Sequence, residues 1–314
     1  MSDALLGYGL STAALLLFTT AILTTKLASS RLSLGLGFLV ATATNVGFSA
    51  LALAVQLALR PDSLGWNAQA FWLFAAAGAF ATYLGRWFFY ESVVRFGPAK
   101  ASIFQVSSPL FTALMAWLLL DERLTPRVAS GMALTVAGLM LVSCKPGLFS
   151  RRQAGAVQAA PTAVSLHQRL LQSAMLLGLG SSLAYAIGNV LRGTAVRLWN
   201  EPILGAWVGA VCGLVLHLAF SSGKRQLAAR LREASRSGLW LYALIGVATI
   251  SAQMCTIGAM RYIPLSVATL VTLCTPLLVF PLSHWLFKQQ EDITALVLAG
   301  SAMTLLGIFI IVLR

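Results

Sequence analysis

Charge is what this chain has least of. Asp, Glu, Lys and Arg together make up 10% of its 314 residues, where a water-soluble domain carries about 25%. Too little polar surface is left to keep such a chain dissolved, so its solvent is largely lipid. Cysteine is scarce as well. Cys144, Cys212, Cys255 and Cys274 all fall in apolar stretches, with no CxxC pair and no histidine at ligand spacing. That excludes a disulfide scaffold and a thiolate metal site, and leaves four small buried hydrophobes. A glycine period and a sustained heptad are both missing, which excludes collagen and coiled coil. Gly178-Leu179-Gly180 has no strand before it and no acidic partner, so it is no dinucleotide fingerprint. His217 and His284 stand alone, and Gly-x-Ser-x-Gly, HExxH and Walker A do not occur. The expectation is no catalytic residue, no metal and no cofactor. Without an ATP-binding module, any transport would run on gradients.

What the chain has in abundance is apolar sequence: 58% hydrophobic residues and a mean hydropathy of +0.83. A helix crossing the hydrocarbon core needs about 20 such residues. Ten stretches meet or approach that length: 4–25, 33–59, 69–94, 98–120, 126–144, 170–196, 202–220, 239–260, 264–287 and 293–313. The first follows Met-Ser-Asp with no basic leader, so it reads as a retained membrane helix rather than a cleaved signal. Two longer polar connections remain: 145–169, with Arg151, Arg152 and Pro161, and 221–238, with five basic residues. Prolines at 98, 126, 202 and 264 mark helix first turns. The net charge of +13 sits mostly between the apolar runs, where it orients a protein in a membrane, and nucleic acid is excluded as a partner. Counting Lys and Arg gives 14 on the side of the 1–2, 3–4, 5–6, 7–8 and 9–10 connections and 6 on the side of the termini. That asymmetry places both termini outside.

The chain also repeats itself. Lys26 and Arg31 recur as Arg192 and Arg197, and Arg95-Phe96-Gly97-Pro98 recurs as Arg261-Tyr262-Ile263-Pro264, each shifted by 166. Ser108-Pro109-Leu110 answers Thr275-Pro276-Leu277, shifted by 167, and Gly131 and Gly138 answer Gly300 and Gly307, shifted by 169. Two halves of five spans each follow one pattern. Because five is odd, the second half must enter the membrane from the opposite side, the inverted repeat on which many secondary transporters are built. The predicted fold is an all-α membrane protein of ten transmembrane helices in two inverted five-helix repeats. Its units are a first repeat at 1–146, a basic linker at 147–169 and a second repeat at 170–314.

The residues from Arg95-Phe96-Gly97-Pro98, through Ser108-Pro109-Leu110-Phe111 and Trp117 to Thr125, then Gly131 and Gly138, carry a resemblance. With their looser copy from Arg261-Tyr262 through Pro276-Leu277-Leu278 to Glu291-Asp292-Ile293-Thr294, they resemble the ten-span, EamA-type branch of the drug/metabolite transporter superfamily. The resemblance spans the whole chain. It implies a basket in which spans 1–4 and 6–9 line a central cavity while 5 and 10 lie outside. It also implies export of amino acids, other small metabolites or drugs across the inner cell membrane. Members usually keep both termini in the cytoplasm, opposite to the charge count.

Several residues could carry such chemistry. Ionisable groups at a helix centre in lipid cost about 2.5–3.5 kcal/mol on insertion scales, so Arg86 and Glu91 in the third span need a reason. At helical spacing Tyr83, Arg86 or Trp87, and Tyr90 share a face, which would set one cation between aromatic walls and suit a carboxylate. The alternative is that Arg86 snorkels or pairs with Glu91. Glu91 has Arg95 four residues on, the spacing of a helical ion pair, or else it couples transport to protons. Pro109 and Pro276 each remove a backbone bond at mid-span and predict kinked helices, lining a substrate path or satisfied by neighbouring Ser and Thr. Asn45, Gln105, Tyr185, Asn189 and Gln253 are uncharged polar groups at depth, either ligand contacts or helix glue. Gly205, Gly209 and Gly213 form a small-xxx-small run for close packing or for sliding. The expected partners are a small-molecule substrate and membrane lipid, with a monomer sufficient. A lipid or headgroup flippase is the alternative function. An intramembrane enzyme is the weaker one, for want of a clustered His/Asp/Glu set.

Overall fold

The computed structural model describes residues 3–59, 66–108, 110–111, 114, 126–143, 174–221, 227–263, 268, 271–272, 274–287 and 295–312. Those residues form helices joined by short turns, with no strand among them. The local reasons are visible in the sequence. Helix α1 (Asp3–Ser29) carries Asp3 in its first turn and Lys26 in its last, both matched to the helix dipole. Helix α2 (Leu34–Leu59) follows. The Asn67 side chain caps α3 (Ala68–Ala77) by accepting from Ala70 N at 3.0 Å. An eight-residue π-helix, Gly78–Gly85, runs without a break into α4 (Arg86–Phe96). Gly97 then turns the chain with φ 90° and ψ 157°, a region open essentially to glycine alone. Prolines open α5 (Pro98–Val106), α6 (Pro126–Ser143) and α8 (Pro202–Phe220), where the missing N–H costs nothing. Helix α7 (Ala174–Leu198) lies between α6 and α8, and α9 (Leu227–Glu233) is a short turn in the basic segment. Ser235 caps α10 (Arg236–Ala259), and α11 (Thr275–Phe287) and α12 (Ala295–Val312) complete the chain. Pro109, Pro264 and the whole 147–169 linker lie outside the described residues.

Each of the ten apolar stretches contains a described helix. Four of these helices are long and apolar enough to cross a membrane by length and composition: α1, α2, α8 and α10. The surface they present is inverted relative to a soluble protein. Leu51, Leu59, Phe220 and Trp240 are all more than 60% exposed, whereas Asn45, Thr42, Ser49 and Thr82 are fully buried. Exposed tryptophans sit near helix ends, Trp66 and Trp72 at the start of α3 and Trp285 at the end of α11, as in the aromatic belts of membrane proteins.

The packing obeys the repeat. Helix α1 packs on α10, and its counterpart α7 packs on the α3–π–α4 span. Helix α2 packs on α10, and its counterpart α8 packs on α3 and the π-helix. Exchanging the halves therefore maps one set of contacts onto the other. Where counterparts meet each other, α6 and α12 show the symmetry atom by atom. A Cβ on Gly138 would fall 2.5 Å from Gly300 O, and one on Gly307 would fall 2.6 Å from Gly131 O. Thr135 donates to Gly131 O and Thr304 to Gly300 O, each at 2.8 Å. Shifting by 169 turns Gly131, Thr135 and Gly138 into Gly300, Thr304 and Gly307. The crossing is thus isologous and antiparallel, as a two-fold axis across the helices demands.

Candidate functional site

Between the halves lies a polar cavity of about 110 Å³, room for several waters or one small ligand. The first half supplies α1, α4 and α5; the second supplies α7, α10 and the segment leading into α11.

The π-helix sets the geometry at one wall. Its wider turn lets Arg86 N–H bond Ala81 O, five residues back, so each residue advances by a smaller angle than in an α-helix. Tyr83 is thereby rotated off the face that a regular helix would share with Arg86 and Tyr90. Arg86 and Tyr90 line the cavity, and Tyr83 does not. Instead Tyr83 joins a separate aromatic cluster: its ring stacks on Phe220 at 6.2 Å and lies 6.3 Å from Phe38 and from His217. Trp87 sits in the same cluster, 5.3 Å from Phe38. His217 Nε2 donates to Gly35 O at 3.2 Å there. Gly85, last residue of the π-helix, admits the Tyr185 ring, whose Cδ2 would stand 3.1 Å from any added Cβ.

Arg86 is 2% exposed. Its Nη1 donates to the carboxamide oxygen of Asn45, whose own nitrogen donates to Gly246 O at 2.6 Å and to Ala41 O at 3.0 Å. Asn45 does not line the cavity; it ties α2 to α10 and fixes the guanidinium from behind. Tyr185 approaches both Arg86 and Gln105, and Gln105, Asn189 and Gln253 all reach the cavity wall. The Tyr90 hydroxyl lies buried beside that of Thr25.

Arg192, not among the polar groups singled out in the sequence, completes the site. Only 7% exposed, it lines the same cavity and donates from Nη2 to Thr82 Oγ1 at 3.1 Å and to Gln253 Oε1 at 3.3 Å. In sequence it is the repeat mate of Lys26 near a span's end, a position where a cation ordinarily snorkels. The signal available was that 20 of the 22 basic residues fall in the connections or termini of the charge count, and only Arg86 and Arg192 do not.

The helix breaks are paired. Helix α5 ends at a turn in which Ser107 N–H bonds Phe104 O at 3.1 Å and Leu110 N–H bonds Ser107 O at 3.0 Å. In the second half Cys274 N–H bonds Val271 O at 3.2 Å and Leu277 N–H bonds Cys274 O at 2.9 Å. All three positions shift by 167. Pro276 is the second residue of α11, so the second half has a broken helix in place of a kinked one. The carbonyl that its missing N–H leaves, that of Thr272, accepts from the Thr275 hydroxyl. In the first half Phe104 O accepts from the Ser107 hydroxyl and, across the halves, from that of Ser182. Thr272, Thr275, Gln105 and Ser108 at these breaks all line the cavity.

Glu91 lies elsewhere. Its carboxylate pairs with Arg95, whose Nε donates at 2.7 Å, and it does not line the cavity. Such an exposed pair is worth less than about 1 kcal/mol. Glu91→Gln is therefore expected to leave both thermal stability and the pH dependence of flux close to wild type, measured by thermal melting and by flux between pH 5.5 and 8. The run Gly205, Gly209 and Gly213 packs against Phe74, Gly78 and Thr82. Among the described residues no cluster of His, Cys, Asp or Glu could hold a metal.

A family model described as "EamA-like transporter family" matches residues 5–144 and again 172–313. No curated protein is similar to the chain. One solved structure, described only as "Crystal structure of protein", superposes with a TM-score of 0.58 at 17% identity, covering 98% of this chain and 94% of that one. At that identity the likeness concerns the fold alone.

Proposed function

The chain belongs to the EamA-like transporter family, and from that premise we propose that it is a secondary-active carrier that exports small metabolites across the inner cell membrane. It is an integral multi-pass membrane protein and, through this family, a membrane transporter of the drug/metabolite transporter superfamily. In this reading ten crossings form two inverted halves, and rocking of one half on the other opens the cavity alternately to each side. One observation carries it: a polar cavity lined from both halves, with a broken helix from each repeat at its wall. Broken backbone survives at membrane depth only against protein or water, and in transporters it marks the bound substrate. Arg86 anchors an anionic group of the substrate, while Tyr90, Gln105, Tyr185, Asn189 and Gln253 orient the remainder. Asn45 positions Arg86 and leaves the substrate untouched.

The test is flux in sealed vesicles containing the purified protein. Saturable, gradient-driven movement of a labelled amino acid or organic anion, recovered chemically unchanged, is the expected result. Chemical conversion of the label, or movement of labelled lipid alone, would overturn the reading.

A further inference from the structure

Which solute this cavity selects follows from its charge balance, an inference that rests on the transport reading above. Arg86 and Arg192 are both buried and face the same small space. The hydrogen-bond partners described for them are neutral: the Asn45 amide and Tyr185 phenol for Arg86, the Thr82 hydroxyl and Gln253 amide for Arg192. Among the described residues the only ion pair is Arg95 with Glu91, and no carboxylate lines the cavity. The buried acid described, Glu201, accepts from Gln56 at 2.6 Å outside that lining. The described wall therefore carries two fixed positive charges and no negative one.

We propose that the cavity binds a small dianion, a phosphate monoester or a dicarboxylate, with one guanidinium serving each negative charge. The electrostatics discriminate among solutes. A buried cation without a counterion costs several kcal/mol, and its attraction to an anion is strong in a medium of low dielectric constant. A monocarboxylate neutralises one arginine and leaves the other uncompensated. A zwitterionic amino acid adds no net charge, and an organic cation is repelled. Only a dianion satisfies both groups, and each planar guanidinium fork matches carboxylate or phosphate oxygens bidentately. The rest of the wall agrees: Tyr90, Tyr185 and Asn189 line it with neutral groups that can donate to anionic oxygens.

The experiment measures calorimetric binding to the full-length protein in lipid nanodiscs, with probes matched in shape and differing by one charge. Propyl phosphate is paired with propyl sulfate, and succinate with its monomethyl ester; phenylalanine and tetraethylammonium complete the panel. A phosphate monoester carries about −1.5 to −2 at pH 7. The dianion of at least one pair is expected to bind roughly tenfold tighter or more than its monoanion, a difference of about 1.4 kcal/mol. The pair that shows the preference separates phosphate from dicarboxylate. Arg192→Gln should erase the preference while monoanion binding through Arg86 persists. Arg192→Lys, which keeps the charge and loses the fork, should restore part of it. Melting temperatures of both variants exclude unfolding as the cause. Equal affinity within both pairs, a preference that survives Arg192→Gln, or binding of phenylalanine or tetraethylammonium alone would overturn the assignment. The same panel in flux assays separates the two levels of inference. Carriage of monoanions or zwitterions without a dianion preference sinks the charge assignment and spares the transporter reading. Tight dianion binding with no flux of any probe sinks the transporter reading at this cavity.

Discussion

Gly78→Leu is expected to yield no monodisperse protein, or to lower the melting temperature by far more than any cavity substitution. Gly78 opens the π-helix where α8 crosses it, and a Cβ there would stand 2.5 Å from Gly209 O and 2.6 Å from Gly209 Cα. Both obstacles are backbone, so neither can turn aside as a flexible side chain would. Overpacking a core usually costs about 1–3 kcal/mol. Here two helices must separate along a seam that also holds Gly205 against Phe74 and Gly213 against Thr82, which puts the cost at or above the top of that range. The control lies within the same chain. A Cβ on Gly9 or Gly47 meets nothing within 4 Å, so Gly9→Leu and Gly47→Leu should melt near wild type by size-exclusion and fluorescence thermometry. A normal melt for Gly78→Leu would mean that the two helices do not cross there.

For Arg86→Met the expected signs are opposite for stability and for binding. Replacing a buried charge by an apolar side chain of similar length removes the desolvation cost that neutral acceptors such as Asn45 and Tyr185 do not repay. The ligand-free variant should therefore melt at or above the wild-type temperature, even though the Asn45 carbonyl loses its donor. Binding should collapse. Truncating one partner of a buried charged contact costs about 2–5 kcal/mol, or roughly 30-fold and more in Kd for an anionic ligand. If Arg86 were helix glue, the variant would instead unfold earlier and its residual binding would track its stability. Calorimetry and melting on the same preparation distinguish the two outcomes. Stability surrendered to hold an uncompensated charge is the signature of a binding site.

Much of the layout was legible in the sequence, because lipid as solvent leaves few solutions. Backbone groups must bond within a helix, so the positions of apolar runs set the positions of helices. Arg95-Phe96-Gly97-Pro98 marked the turn at Gly97, and the shifts of 166 to 169 residues marked the halves. Gly131, Gly138, Gly300 and Gly307 were visible as a pattern, although only their contacts make them one crossing. The cavity was legible in part. Arg86, Tyr90, Gln105, Tyr185, Asn189 and Gln253 were singled out by being polar at depth, and all six line it.

The chain by itself determined that its outside is apolar, that it is helical and that it consists of two copies of one pattern. These follow from composition and period, which are sums and spacings along one dimension. Only the tertiary structure decided which polar groups face each other. A π-helix between Gly78 and Gly85 turned Tyr83 away from Arg86, a change of angle that no regular helical period anticipates. Placing α7 against the third span brought Arg192, 106 positions from Arg86 in the chain, to the same wall. Charge balance in a cavity depends on distance in space, and a sequence records only distance along the chain.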